Sequence, residues 1–277
     1  MIRIMQKKEI LPLLLLIIFL LFSWQLIGGI FMLAFISFFP SNEIIASYLS
    51  VNIPSLTLFI FSIIGTRVVF NCSLNTMISE RKHKGGSYLI TALIAFALIF
   101  LSSIISYKNL SLDQHTIKIK LIMLFIVLAI TPIQCISEEY LFRVLLSRII
   151  NTDKNSSKLL ISFISGLLFL FAHMVNNPEF KVSSYFLLSL YYFTFGFLAM
   201  YLGIHFSDFT YPIVIHIVNN LYSALIVGYK DSPLKSAPIF ISDKIPSPLL
   251  STVTLICIFA FTYHYVKKWE LKFIEEN

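Results

Sequence analysis

The feature that most constrains this chain is the recurrence of long apolar segments. A helix that crosses a bilayer needs about 20 predominantly apolar residues. Lipid offers the backbone no hydrogen-bond partners, so such segments are helical. The segments that meet this length are 11–38, 51–71, 87–107, 119–137, 157–176, 183–204, 210–229 and 248–267. The sequence therefore predicts an all-α integral membrane protein, a single bundle of about eight transmembrane helices in which residues 1–277 form one domain.

The composition supports a location in the membrane. Hydrophobic residues make up 57% of the chain and charged residues only 13%, whereas a soluble domain has about 25% charged residues. The first apolar segment is longer than the core of a signal peptide and is predicted to remain attached as a helix. The net charge of +7 follows from basic loops rather than from nucleic-acid binding.

The distribution of basic residues predicts an orientation. Cytoplasmic loops of membrane proteins carry an excess of Lys and Arg. With the N-terminus inside, more of these residues fall on the cytoplasmic side than on the opposite side. We therefore expect a multi-pass protein of the cell membrane with both termini in the cytoplasm. The cytoplasmic set is Arg3, Lys7, Lys8, Arg81, Lys82, Lys84, Arg148, Lys154, Lys158, Lys267, Lys268 and Lys272.

Several other residues are explained by packing or by solvation rather than by a functional site. Cys72, Cys135 and Cys257 are odd in number, far apart and beside apolar segments, which predicts buried small hydrophobes rather than disulfides or a metal site. His205 and Asp208 lie between the sixth and seventh segments and are predicted to be solvated.

Three polar clusters interrupt the apolar segments in the second half of the chain. Ionisable groups at membrane depth are costly and usually face a bundle interior or a wet cavity. Together the clusters supply two carboxylates, two imidazoles and several carboxamides, which is the material of an acid–base hydrolytic site. The clusters contain Glu138, Glu139 and Arg143, then Phe169, His173 and Asn177, then His216 and Asn220.

Helical spacing separates the two carboxylates of the first cluster. Glu138 and Glu139 are adjacent, so they point about 100° apart on a helix. Glu139 and Arg143 are four residues apart and can form an ion pair on one face. Glu139 is therefore predicted to be neutralised by Arg143, while Glu138 is free to enter a cavity.

The other two clusters place a carboxamide one turn from each imidazole. Phe169, His173 and Asn177 share one helical face, and His216 and Asn220 repeat the spacing. A Glu and a His can activate water, and an Asn and a His can donate hydrogen bonds to an oxyanion. Each motif alone is more often a helix-packing feature, but their combination in apolar segments favours a shared site.

In this order, the motifs Glu-Glu-x3-Arg, Phe-x3-His-x3-Asn and His-x3-Asn resemble those of the CPBP (or Abi) family of intramembrane proteases. That family includes type II CAAX prenyl proteases and bacteriocin-processing or immunity proteins. The resemblance covers residues 128–223. It implies a glutamate-dependent endopeptidase that cleaves a membrane-associated peptide or protein, as in CAAX-type processing or peptide maturation.

The resemblance also implies a role for each residue. Glu138 is the general base that activates water, with help from His173. His216 and Asn220 stabilise the oxyanion. Supporting roles fall to Glu139 with Arg143, to Phe169, and to Asn177, which orients His173.

We expect no obligatory cofactor, and Zn²⁺ is the alternative. Glu138, His173 and His216 are a possible set of three zinc ligands with an open fourth position. No His-Glu-x-x-His helix preforms such a site.

The predicted topology contains one conflict. In simple antiparallel spans, Glu138 and His216 lie near the cytoplasmic end, whereas His173 lies late in a span that runs outward. The fourth segment is predicted to continue past Pro132 into an amphipathic stretch that ends near Ile150. If that stretch dips into the membrane, the three residues share one depth.

Two other functions use the same residues. One is a catalytically silent immunity or scaffold protein that binds a peptide in the cavity. The other is a proton-coupled transporter, although such transporters commonly have internal repeats, which this sequence lacks. The expected partners are the bilayer and a peptide or protein, and the oligomeric state is left open.

Overall fold

The computed structural model describes residues 7–39, 44–80, 85–107, 109–150, 154–174, 184–230, 232 and 235–275. Helices dominate this part of the chain, and three short strands accompany them. The helices are α1 (Lys7–Phe22), α2 (Gly28–Phe38), α3 (Ile44–Phe70), α4 (Leu74–Ile78), α5 (Gly85–Ser106), α6 (Ile117–Glu139), α7 (Asn155–Met174), α8 (Tyr185–Phe206), α9 (Thr210–Leu225) and α10 (Pro248–Glu275). The strands are β1 (Leu110–Leu112), β2 (Val227–Tyr229) and β3 (Phe240–Ser242).

The prediction of an all-α membrane protein is confirmed. Within the described residues, 7 helical segments are long and apolar enough to cross a bilayer. They contain α1 with α2, α3, α5, α6 with the turns that follow it, α7, α8 and α10. The predicted segment 210–229 corresponds to α9, which has 16 residues. At 1.5 Å per residue α9 is about 24 Å long, which is shorter than a hydrocarbon core of about 30 Å.

The fourth span differs from the prediction after Glu139. It continues as a π-helical turn, Tyr140–Leu145, and a 3₁₀ turn, Leu146–Arg148. We predicted an amphipathic stretch here, but every residue of the π-helical turn is buried. The surrounding helices cover this turn on all sides, so the usual contrast between a polar and an apolar face is lost.

One end of the bundle carries a small sheet, and we call it the sheet end. The strand order is β1-β3-β2, with β1 antiparallel and β2 parallel to β3. The backbone amide of Ser247 donates to Ser106 Oγ at 2.8 Å, which ties the start of α10 to the end of α5.

The opposite end is held by buried charges, and we call it the clamp end. Arg148 Nη1 contacts Glu80 Oε1 at 2.5 Å, and Arg148 Nη2 donates to the Met77 carbonyl at 2.9 Å. Asp208 is fully buried and accepts from Tyr88 Oη at 2.7 Å. The prediction that Asp208 is solvated was wrong, because its connection folds back against the residues after α4.

Asp208 holds one end of α9, and the sheet holds the other. Asp208 Oδ1 accepts from the backbone amide of Thr210 at 2.8 Å, where α9 begins. Beyond its other end, β2 joins the sheet. Between these anchors α9 packs against α5, α6 and α8, so this helix crosses the interior although it is short.

Two glycines allow α7 and α8 to pack closely. A Cβ atom at residue 196 would lie 2.9 Å from Gly166 Cα and 2.9 Å from Phe169 Cβ. Small residues permit such close contact of helices in membranes. This contact sets the position of Phe169, which belongs to the second polar cluster.

We expect Gly196→Ala to push α7 away from α8 and to destabilise the fold by about 1–3 kcal/mol, because the new methyl group overpacks the contact. Thermal unfolding in detergent measures the change. Gly29→Ala is the matched control, since a Cβ at residue 29 has no neighbour within 4 Å. An unchanged unfolding temperature for Gly196→Ala would contradict the tight packing described here.

Candidate active site

A cavity of about 380 Å³ lies between the helices, and residues from all three polar clusters line it. Side chains from α5, α6, α7, α8, α9 and α10 line it, together with Trp24 and Val51. Glu138, Phe169, His173, His216 and Asn220 all belong to its wall. Five of the predicted site residues are thereby brought to one cavity.

Glu138 lies on α6 with its carboxylate held at one oxygen. Gln134 Nε2, one turn earlier, donates to Glu138 Oε1 at 3.1 Å. Oε2 has no hydrogen-bond partner among the described residues, and it lies 3.9 Å from His216 Nε2. That distance is too long for a direct hydrogen bond, so Oε2 remains able to accept a proton.

Glu139 connects two other members of the clusters. Its Oε2 lies 3.3 Å from Arg143 Nε, which is the predicted ion pair one turn apart. Its Oε1 lies 2.9 Å from His216 Nδ1. The carboxylate accepts Nδ1–H, and this bond turns Nε2 of the imidazole toward Glu138. The sequence did not reveal the second contact, because Glu139 and His216 are far apart in the chain.

Arg143 is fully buried, and aromatic rings surround its guanidinium. The guanidinium carbon lies 4.1 Å from the centroid of the Phe169 ring and 5.4 Å from that of Phe195. A cation is attracted to the face of an aromatic ring, most strongly where water is excluded. The rings and the Glu139 carboxylate are therefore the groups that face the buried charge, since no guanidinium nitrogen makes a hydrogen bond among the described residues. Phe169 thus has a defined place beside the guanidinium.

His173 is oriented by its own helix and by a neighbouring ring. Its Nδ1 lies 2.8 Å from the Phe169 carbonyl, so Nδ1–H donates and Nε2 is left without the proton in the neutral ring. The imidazole stacks on Tyr192, with a centroid distance of 4.5 Å. The predicted orienting residue, Asn177, lies outside the described residues.

The conflict over the depth of His173 is resolved through Phe169. The ring of Phe169 lies 4.1 Å from that of His173 and 6.1 Å from that of His216, centroid to centroid. Both imidazoles therefore lie near one ring, and all three side chains line the cavity. The prediction treated the spans as equal and did not anticipate the short helix α9, whereas the predicted continuation of the fourth segment past Pro132 is present and runs to Arg148.

Asn220 is held by two side chains that the prediction did not place in the site. Asn219 Nδ2 donates to Asn220 Oδ1 at 3.2 Å, and Asn220 Nδ2 donates to Cys135 Sγ at 3.6 Å. Cys135 is buried, as predicted, while Cys72 and Cys257 are half-buried. Gln134 was also missed, although its position one turn before Glu138 is visible in the sequence.

The alternative zinc site has no preformed geometry in the described residues. Zinc ligands bind at about 2.0–2.3 Å, so three of them must converge on one point. No group of three His, Cys, Asp or Glu side chains in the described part of the chain converges in this way.

The comparisons with known proteins give one family. The chain matches no curated protein and no solved structure. Residues 118–222, which carry all three motifs, match the family model described as type II CAAX prenyl endopeptidase Rce1-like. That family is a family of proteases, and the match confirms the resemblance to CAAX-type intramembrane endopeptidases that the motifs indicate.

Proposed function

We propose that the protein is an intramembrane endopeptidase that hydrolyses a peptide bond in the cavity around Glu138. The observation that carries the proposal is the geometry of the two oxygens of the Glu138 carboxylate. One oxygen is fixed by Gln134, and the other faces His216 Nε2 at 3.9 Å inside a cavity of about 380 Å³. A general base needs this combination of a fixed orientation and an oxygen that can take a proton.

In the proposed reaction Glu138 Oε2 removes a proton from water, and the resulting hydroxide attacks the carbonyl carbon of the peptide. His173, with Nδ1–H bound to the Phe169 carbonyl, presents Nε2 to help hold the water. Glu138 then transfers the proton to the departing nitrogen as the carbon–nitrogen bond breaks. The products are a carboxylic acid and an amine.

His216 and Asn220 stabilise the oxyanion of the intermediate in this proposal. His216 acts as the imidazolium, which donates Nδ1–H to Glu139 and Nε2–H to the oxyanion. The charges of Glu138, Glu139, Arg143 and His216 then sum to zero before the substrate reacts. Preorganised donors of this kind contribute a large part of the stabilisation in acyl transfer.

The proposed location is the cell membrane, with both termini in the cytoplasm. The start of α1 lies at the clamp end, because Leu16 packs beside Gly65, late in α3. The end of α10 lies at the same end, because Tyr263 contacts His205 at 3.1 Å. The basic residues of the cytoplasmic set support the assignment of the clamp end to the cytoplasm.

The experiment that tests the proposal reconstitutes the purified protein in liposomes with quenched fluorescent peptides. One peptide carries a prenylated CAAX sequence, and a second has the same residues without the prenyl group. Cleavage of either supports an endopeptidase, and the comparison shows which substrate class is preferred. A protein that cleaves neither peptide yet protects cells against a peptide toxin would be the silent immunity protein instead.

We expect chelators to leave the cleavage rate unchanged, because no three ligands converge on a point in the described residues. The measurement is the rate after treatment with 1,10-phenanthroline, followed by addition of Zn²⁺. A zinc peptidase treated in parallel shows that the chelator is effective. Loss of activity that Zn²⁺ restores at a one-to-one ratio would establish a metal enzyme.

A further inference from the structure

Cys135 has an unusual position for a residue that only fills space. It lies on α6 three residues before Glu138 and is fully buried. Its Sγ accepts a hydrogen bond from Asn220 Nδ2 at 3.6 Å, and the thiol lies close enough to the imidazole of His216 to interact with it electrostatically. One sulfur atom thus binds one proposed oxyanion donor and lies near the other.

The amide of Asn220 is fixed from both sides by these contacts. Asn219 Nδ2 holds the oxygen at 3.2 Å, and Cys135 Sγ holds the nitrogen at 3.6 Å. The Nδ2 group has two N–H donors. The thiol therefore determines where the donors of Asn220 point when no substrate is present.

The chemistry of sulfur makes this contact easy to exchange. A thiol is a weak hydrogen-bond acceptor, whereas an oxyanion is a strong one. An interaction accelerates a reaction only if it is stronger in the transition state than in the ground state. Because the thiol is a weak acceptor, the Asn220 amide gains much hydrogen-bond strength when it turns from the thiol to the oxyanion. An oxygen acceptor in place of the thiol would reduce this gain.

We propose that Cys135 is a positioning residue, whose thiol holds the Asn220 amide in place and releases it to the oxyanion. This inference rests on the proposed function and on the donor role of Asn220. The thiol forms no bond with the substrate, and its own protonation does not change in the reaction.

The test combines Cys135→Ser and Cys135→Ala with Asn220→Ala in the full-length protein in liposomes. We expect each Cys135 variant to lower kcat about 10-fold with KM changed less than twofold, since one donor interaction is weakened in the transition state. Serine lowers kcat by competing for the donor, and alanine lowers it by freeing the amide to rotate. In the Asn220→Ala background, neither substitution lowers kcat further.

Cys257→Ser is the matched control, because Cys257 is half-buried and does not line the cavity. We expect it to retain the wild-type kcat. If Cys135→Ser does not fold, the alanine variant carries the same comparison. An equal fall of kcat with and without Asn220 would overturn the positioning role, since a packing defect acts in both backgrounds.

The outcomes separate this inference from the proposed function. A wild-type protein that cleaves no peptide removes the proposed function and this inference with it. A wild-type protein that cleaves normally, with kcat unchanged in both Cys135 variants, removes only the inference.

Discussion

Glu138→Gln is expected to lower kcat by about 10²–10⁴-fold, the usual contribution of a general base. Glutamine keeps the shape of the side chain and the contact with Gln134, but its amide does not take a proton from water. The protein should remain folded, because Glu138 Oε2 makes no hydrogen bond among the described residues that would be lost. Single-turnover cleavage in liposomes measures the rate, and thermal unfolding verifies the fold.

Asp243→Asn is the matched control for the loss of a carboxylate. Asp243 has a side chain that is 62% exposed and pairs with Lys230, outside the cavity. We expect this variant to cleave at the wild-type rate. Normal cleavage by folded Glu138→Gln would refute the role of Glu138 as base.

Glu139→Gln is expected to lower both stability and activity. It removes the anion beside the fully buried Arg143, and breaking one partner of a buried ion pair costs about 3–5 kcal/mol. It also removes the charge that accepts His216 Nδ1–H. Loss of an orienting carboxylate behind a catalytic imidazole can lower kcat by about 10⁴-fold.

A double variant separates the two effects of Glu139. In Glu139→Gln with Arg143→Met, neither buried charge remains, and a buried pair replaced by apolar groups is often neutral for stability. We therefore expect the unfolding temperature to recover while kcat stays low, because His216 still lacks its carboxylate. Recovery of kcat together with stability would show that Glu139 acts only through Arg143.

The sequence predicts the fold best where the length of an apolar segment determines that it spans the membrane as a helix. The segments that became α5 and α8 are predicted to within two residues at each end, because hydrophobic segments of this length have few alternatives in lipid. The segments of α3 and α10 are also found, but α3 begins seven residues before the predicted start and α10 ends eight residues after the predicted end. The helix α9 is the exception, since its length is set by the contacts of Asp208 at one end and by the sheet at the other. Both anchors arise from contacts between distant parts of the chain, which periodicity does not reveal.

In the candidate site too, contacts within one helix were predictable from the sequence, whereas contacts between helices were not. The ion pair of Glu139 with Arg143 follows from helical spacing, and the structure contains it. The contacts of His216 with Glu139 and of Asn220 with Cys135 join separate helices, so they depend on how α6 and α9 face each other. The charged and polar side chains that line the cavity were therefore predictable, whereas the partners that orient them were not.

The helix α9 has a consequence for how the protein is made. It carries His216, Asn219 and Asn220 in only 16 residues, and none of its residues is exposed. Such a helix is too short and too polar to partition into lipid alone. It must enter the membrane alongside α5, α6 and α8, which shield it. The imidazole of His216 therefore meets the carboxylate of Glu139 only once α6 and α9 have packed together.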